Sequence, residues 1–181
     1  MKQYLFLVSS ARRNGNTERL ARRAAASLPA TAQQWLYLNE LALPPFRDVR
    51  HEEGASYAAP KGNEKILADA TLLANDLVLV APVYWYTVPA SAKLYLDYWS
   101  AWMRVASLGF KASMARKRMW VVTVYSGEPE DARPLIATLE KCAAYLGMRW
   151  GGALMGVGSR PGDIENDAAA LQRAAEFFGA S

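Results

Sequence analysis

Runs of apolar residues divide this chain into blocks, and the spacing within each block predicts what it becomes. Tyr4-Leu5-Phe6-Leu7-Val8 is an unbroken apolar run of strand length, suited to a parallel strand buried on both faces. After a polar stretch from Ser9 to Thr17, residues Leu20, Ala21, Ala24, Ala25 and Leu28 recur at helical spacing. Asn16 suits an N-cap there, Glu18 favours the positive end of the dipole, and the helix should end near Leu28-Pro29. Gln33 to Leu38 reads as a second strand. From Asn39 to about Gly62 no period holds, because Pro44-Pro45, Gly54 and Pro60 interrupt it; connections of this length are usually functional or mobile. Helical spacing returns from Asn63 through Ile66, Leu67, Ala70, Leu73 and Ala74, and Asp76 leads into Leu77-Val78-Leu79-Val80-Ala81, the clearest buried strand.

That strand runs into Pro82-Val83-Tyr84-Trp85-Tyr86-Thr87-Val88-Pro89, with Pro89 in the first turn of the next helix. This helix should reach Trp102 or Met103, with Tyr95, Trp99 and Trp102 on one face and Leu96 and Met103 near its edge. Ser107 to Ala115 reads as irregular, and its Gly109-Phe110 pair can arch over a ligand. Arg116-Lys117-Arg118 reads as the solvated start of a fourth strand, Met119 to Val124, with a cofactor phosphate as a weaker alternative role. Strand four ends in Tyr125-Ser126-Gly127-Glu128-Pro129. A helix from about Asp131 to Leu146, a fifth strand from Met148 to Met155 and a helix from Asp167 to Phe178 complete the chain. Five strands alternating with five helices predict one α/β domain over residues 1–181, a single parallel sheet covered on both faces. Ligands bind beyond the carboxyl ends of such strands, where the loops after strands one, three and four all emerge.

Composition changes this picture little. With 181 residues, 52% hydrophobic and 21% charged, the chain can bury roughly 70% of its unfolded surface. The net charge of +4 is spread along the chain, so nucleic acid is not the expected partner. The single cysteine, Cys142, excludes an internal disulfide and Cys-x-x-Cys chemistry and reads as a small buried hydrophobe on a helix. His51, the only histidine, stands among polar residues and reads as solvated; no metal site is expected. The run from Tyr4 is too short for a secretory signal, and the uncharged stretch from Leu77 to Ala92 is broken by Pro82 and Pro89. A cytoplasmic protein with no membrane partner is expected.

The candidate chemistry sits in two loops. Ser9-Ser10-Ala11-Arg12-Arg13-Asn14-Gly15-Asn16-Thr17 joins a buried strand to a helix N-terminus, which gathers free backbone N–H groups around one point. Ser10, Asn14, Asn16 and Thr17 can add neutral donors, and Arg12 or Arg13 can add charge. The loop therefore reads as a phosphate cradle, although the same residues also make ordinary turns and caps. It is not a nucleotide P-loop, because Asn16 and Thr17 follow Gly15 where Lys-Ser/Thr is needed, and one glycine does not make a dinucleotide fingerprint. Gly156-Val157-Gly158 fails the same test, with Pro161 where a third glycine would stand. Of the consecutive aromatics Tyr84, Trp85 and Tyr86, at least one should line a cleft, either packing on a neighbour or flanking a flat heterocycle between Pro82 and Pro89.

Ser9-Ser10-x-Arg12-x-Asn14-Gly15-Asn16-Thr17, taken with Pro82-Val83-Tyr84-Trp85 and Val88-Pro89, resembles the flavodoxin-like NADPH-dependent FMN reductase family over nearly the whole chain. The first loop of that family more often reads Gly-Ser-Pro-Arg; here Ser9 and Ala11 replace the glycine and proline. The resemblance implies a flavodoxin-like three-layer sandwich with parallel strands in the order 2-1-3-4-5. It implies that Ser10, Arg12, Asn16 and Thr17 hold an FMN phosphate while Asn14 and Gly15 shape the loop. Pro82, Val83, Tyr84 and Trp85, with Tyr86 beside them, would then run along the isoalloxazine edge, and Ser126 and Gly127 would approach the ring. The implied activity passes a hydride from NADPH or NADH to FMN, and then electrons to a quinone, an azo compound, free flavin or a similar small molecule. The flavin carries the chemistry, so no catalytic side chain is expected. Two alternatives are an FMN-binding electron carrier, although such carriers tend to be strongly acidic, and an interaction protein that keeps only the fold. The resemblance also implies a homodimer, with the aromatic helix from Val88 to Met103 contributing to its interface, and the lone cysteine rules out the family's iron–sulfur branch.

Overall fold

Strands that are apolar on both faces must be covered on both, and here they lie side by side in one sheet. The computed structural model describes residues 2–179. Its strands β1 (Tyr4–Val8), β2 (Gln33–Tyr37), β3 (Asp76–Val80), β4 (Arg118–Tyr125) and β5 (Arg149–Val157) all pair in parallel, in the order β2-β1-β3-β4-β5. The expected flavodoxin-like order is the observed one. Helices α1 (Asn16–Ala25) and α6 (Ala168–Glu176) cover one face; α2 (Gly62–Leu73), α3 (Ala90–Trp102), α4 (Phe110–Met114) and α5 (Arg133–Tyr145) cover the other. Side chains alternate along each strand, so Phe6, Val78 and Trp120 meet Leu20, Ala24 and Phe178, while Leu5, Leu77 and Met119 face the cluster of Leu67, Tyr95 and Leu139. Small residues on α1 and α6, including Ala21, Ala24, Ala170 and Ala174, bring those two helices close together.

Several expectations need correction. The stretch after α3 is not irregular. It holds α4, and Phe110 is buried against Trp99 and Trp102, so it cannot arch over a ligand. The ring belongs to the core because the left-handed turn at Gly109 folds it back onto α3. Tyr95, Trp99 and Trp102 are buried in the same core. On α2 the buried face is Leu67, Ala68, Ala70 and Thr71, which leaves Ile66 and Leu73 exposed. Lys117 is buried rather than solvated, and its ammonium donates to the carbonyls of Leu72 (2.7 Å) and Ala74 at the end of α2. Burial pulls its pKa down to about 8, and its place at the amino end of β4 removes it from any phosphate site. The long connection from 39 to 61 carries no helix or strand, and Phe46 packs against Tyr57 and Tyr98 while Tyr98 donates to the Pro44 carbonyl at 3.0 Å. Cys142 lies half-buried on α5, where burial pushes its thiol up. Among the described residues no helix is long and apolar enough to cross a membrane, and no cluster of three or more His, Cys, Asp or Glu is placed to hold a metal ion.

The pairing of β4 with β5 contains one irregularity, between Met119 and Trp120, where Gly151 is skipped in the register. Trp120 causes it. Its indole packs against Phe177 and Phe178, and its Nε1 donates to the buried Asp76 carboxylate at 2.7 Å. A Cβ on Gly151 would lie 2.3 Å from the indole. Gly151→Ala should therefore destabilise the fold by about 1–3 kcal/mol, measurable as a lower denaturant midpoint with an unchanged slope.

Candidate functional site

Every strand points the same way, so the loops that follow them meet at one rim. Between β1 and α1 the chain turns through Asn14, the only residue of that loop with a positive φ (+52°), into the N-terminus of α1. Gly15 occupies the cap position and offers no side-chain bond, and the first intrahelical bond is from Arg19 N–H to the Gly15 carbonyl at 2.9 Å. The backbone N–H groups of Asn16, Thr17 and Glu18 have no acceptor among the described residues. Thr17 and Glu18 are buried residues and Asn16 is partly exposed, and Asn16 and Thr17 line the cleft described below. The loop itself is pinned from behind: Ser9 Oγ donates to the Val80 carbonyl (3.2 Å), and Asn39 Nδ2 donates to the Ser10 carbonyl (2.8 Å). Ser9 does not need the glycine-only region, so the change from the family's usual glycine leaves the turn intact.

The two arginines of the loop separate clearly. Arg13 lies over the Tyr37 ring at 3.4 Å and pairs with Glu40. Both arginines line a cleft of about 300 Å³ with Ser10, Asn14, Gly15, Asn16, Thr17, Pro82, Val83, Tyr84 and Ser126, but Arg12 has no ion-pair partner among the described residues. An uncapped helix start with one unpaired guanidinium suits an anion such as a phosphate monoester.

After β3 the chain makes a tight turn in which Tyr84 and Thr87 exchange two backbone hydrogen bonds of 3.1 Å. Both central residues are left-handed, Trp85 at φ +49° and Tyr86 at +65°. Such turns favour Asn-Gly, and two aromatics there are strained. The turn holds Trp85 92% exposed at the rim. Trp85, Tyr86 and Gly127 line a second hollow of about 220 Å³, which shares Val83, Tyr125 and Ser126 with the first. The expected residues thus fall into two adjoining parts, a polar cradle and an aromatic rim. The backbone N–H groups of Trp85, Tyr86, Ser126 and Gly127 have no acceptor among the described residues. Burial, followed by the nearby Asp167 carboxylate, holds the Tyr125 phenol above its ordinary range, so it remains an O–H donor at neutral pH.

The cleft has a fourth wall that neither loop motif contains. Gly158, Ser159 and Pro161, in the loop after β5, line the cleft beside Val124 and Tyr125. Asn16 joins this loop to α1: its Nδ2 donates to the Arg160 carbonyl at 2.8 Å, and its Oδ1 accepts the Gly162 N–H at 2.9 Å. Asn16 is therefore a helical residue and not the N-cap, and its side-chain amide is already engaged at both ends. A Cβ on Gly158 would lie 2.9 Å from Asn16 Nδ2, which explains that glycine without any dinucleotide motif. The legible signal was topological, since a fifth parallel strand must also end at this rim.

A family model described as Flavodoxin-like fold matches residues 2–178. The chain belongs to this flavodoxin-like family. YwqN of Bacillus subtilis strain 168, an inferred NAD(P)H-dependent FMN-containing oxidoreductase, is 31% identical over 169 residues, covering 92% of this chain and 91% of its own length. Among solved structures, the Trp repressor binding protein from Bacillus subtilis is 25% identical with a TM-score of 0.79, and 99% of each chain is covered. An FMN-dependent NADH-azoreductase from Bacillus anthracis, solved with FMN, shares the fold at 14% identity and TM-score 0.68 over 97% of each chain.

Within this flavodoxin-like chain the wall after β5 has a second anchor. The N–H groups of Arg160 and then Ser159 hold the Asp163 carboxyl below its ordinary range. A depressed folded pKa means that this support is present above the unfolded value near ~3.9 and is lost as the pH falls through the folded one. Asn16→Ala removes two hydrogen bonds between α1 and this wall. It should lower stability by roughly 1–3 kcal/mol in denaturant titration, since each bond contributes about 0.5–1.5 kcal/mol.

Proposed function

We propose that this protein is an FMN-dependent oxidoreductase that takes a hydride from NADPH or NADH and passes electrons to a quinone, an azo compound, a flavin or a similar small acceptor. The observation that carries the reading is the uncapped start of α1, with its unpaired N–H groups, unpaired Arg12 and adjoining aromatic rim. One half suits a phosphate and the other a flat heterocycle, and FMN joins those two parts in one molecule. The names of the relatives support the same cofactor and the same class of reaction.

When bound, FMN supplies the electron chemistry. The tasks of the protein are then to bind, orient and shield. Arg12, the N–H groups of Asn16, Thr17 and Glu18, and the Thr17 hydroxyl hold the phosphate. Asn14 and Gly15 shape the turn, and Asn16 fixes it to the wall after β5. Pro82, Val83 and Tyr84 bound the ring on one side and Tyr125, Ser126 and Gly127 on another, with the unpaired N–H groups of Ser126 and Gly127 available to polar ring atoms. Trp85 and Tyr86 leave one side open, where donor and acceptor stack in turn, which predicts ping-pong kinetics. A mildly basic surface favours this reading over an electron carrier that docks on basic partners.

A homodimer belongs to the same proposal. Its interface would draw on the outer side of α3, where Leu96, Ser100 and Met103 meet Cys142 and Tyr145 of α5 in a shallow apolar groove. The mass in solution at micromolar concentration should be twice that of the chain; a monomer would remove this element.

An absorbance scan of the protein with added FMN, followed by anaerobic NADPH and then NADH, tests the activity. Binding with rapid bleaching of the flavin band is expected, and binding without bleaching by either donor would instead indicate the electron carrier. Arg12→Ala should weaken FMN binding by about 1.5–3 kcal/mol, read by equilibrium titration. Unchanged affinity would remove Arg12 from the cradle.

A further inference from the structure

Two carboxylates are buried among the described residues, Asp76 at the amino ends of the strands and Glu18 behind the cradle. Glu18 is 2% exposed, and only its backbone N–H has a task in binding the ligand. The surroundings of its side chain are specific. Oε2 accepts the backbone N–H of Asn14 at 2.8 Å, and Oε1 accepts the Tyr37 hydroxyl at 2.5 Å. Arg22 stands 3.4 Å from Oε1 and also donates to the Tyr37 oxygen at 2.9 Å. From the same turn of α1, Arg19 Nε donates to the Asn14 carbonyl at 2.9 Å. The two peptide groups of Asn14 are thus held by side chains of the helix that Asn14 introduces.

Asn14 is where such holding matters. Its φ of +52° is uphill for any residue other than glycine, and it stands between Arg12 and the first free N–H groups of α1. Its conformation sets how the guanidinium and the helix donors converge. A simple charge argument runs the other way, because a carboxylate near a phosphate repels it and should be selected against. Glu18 is nevertheless buried there, with Arg22 as its counter-charge.

We infer that Glu18 is a positioning residue for the phosphate cradle, holding Asn14 in its left-handed conformation with Tyr37 and Arg19 as co-braces. This rests on the reading that the cradle takes the FMN phosphate. The affinity for that end of the ligand is then set in part by a carboxylate that does not touch it. Tyr37, on the edge strand β2, couples the strand to the loop through this carboxylate.

FMN and riboflavin differ only in the phosphate, so titrating both separates a cradle effect from a general one. Wild-type protein should bind FMN more tightly than riboflavin. In Glu18→Met the side chain keeps its length but can accept from neither Asn14 nor Tyr37. FMN affinity should fall about tenfold or more, equivalent to about 1.4 kcal/mol or more, with riboflavin affinity unchanged. Tyr37→Phe keeps the charge and should give a smaller loss in the same direction; it carries the test alone if the methionine variant does not fold. Unchanged or tighter FMN binding by Glu18→Met overturns the inference, as do equal losses for both ligands. A wild-type protein without preference for FMN overturns the cradle reading and this one with it, whereas a preference that survives in both variants overturns this one alone.

Discussion

The first N–H groups of a helix have no acceptor within the helix, so something else must satisfy them when they are buried. In α1 the chain supplies no cap. Gly15 has no side chain, and the amide of Asn16 is turned away to the loop after β5. Much of the rim can be understood as support for this open helix start. Ser9 and Asn39 hold the loop from behind, Asn14 reverses it, and Glu18 and Arg19 hold Asn14. A site kept open in this way needs rigid walls, because donors that could swing back to a backbone carbonyl would satisfy themselves.

The sheet provides those walls at low conformational cost. All its strands are parallel, and the central β1, β3 and β4 are buried, so these cannot shift register without exposing apolar surface. The one irregularity, at Gly151, lies near the opposite end and serves the packing of Trp120 rather than the site. Strain is concentrated instead at the rim, in Asn14 and in the pair Trp85 and Tyr86. Residues in such conformations persist only where the surroundings over-determine them, and both turns are closed by hydrogen bonds on either side.

The two halves of the rim differ in kind. The cradle is polar and braced by side chains from several elements, whereas the aromatic turn after β3 is held by its own backbone and projects Trp85 almost fully into solvent. Under the proposed function, the polar end would hold the cofactor while successive small molecules come and go at the open end.

Much of this was legible in the residues. Continuous apolar runs such as Tyr4 to Val8 and Leu77 to Ala81 can only be doubly covered strands, and their alternation with helical spacing determines a parallel sheet whose loops share one end. Local chemistry also determined that Arg12 to Thr17 leads into a helix start and that the aromatic run after β3 reaches a cleft. Tertiary structure decided which groups remain free. Arg12 and Arg13 are equivalent in sequence, and only the packing of Tyr37 and Glu40 against Arg13 distinguishes them. Asn16 suits a cap by its residue type, but Arg160 and Gly162, far along the chain, claim its amide. Phe110, Lys117 and Glu18 likewise take roles set by partners distant in sequence. Periodicity and burial are properties of a segment and can be read along it, whereas hydrogen-bond partnership is a competition among groups that meet only when the chain has folded.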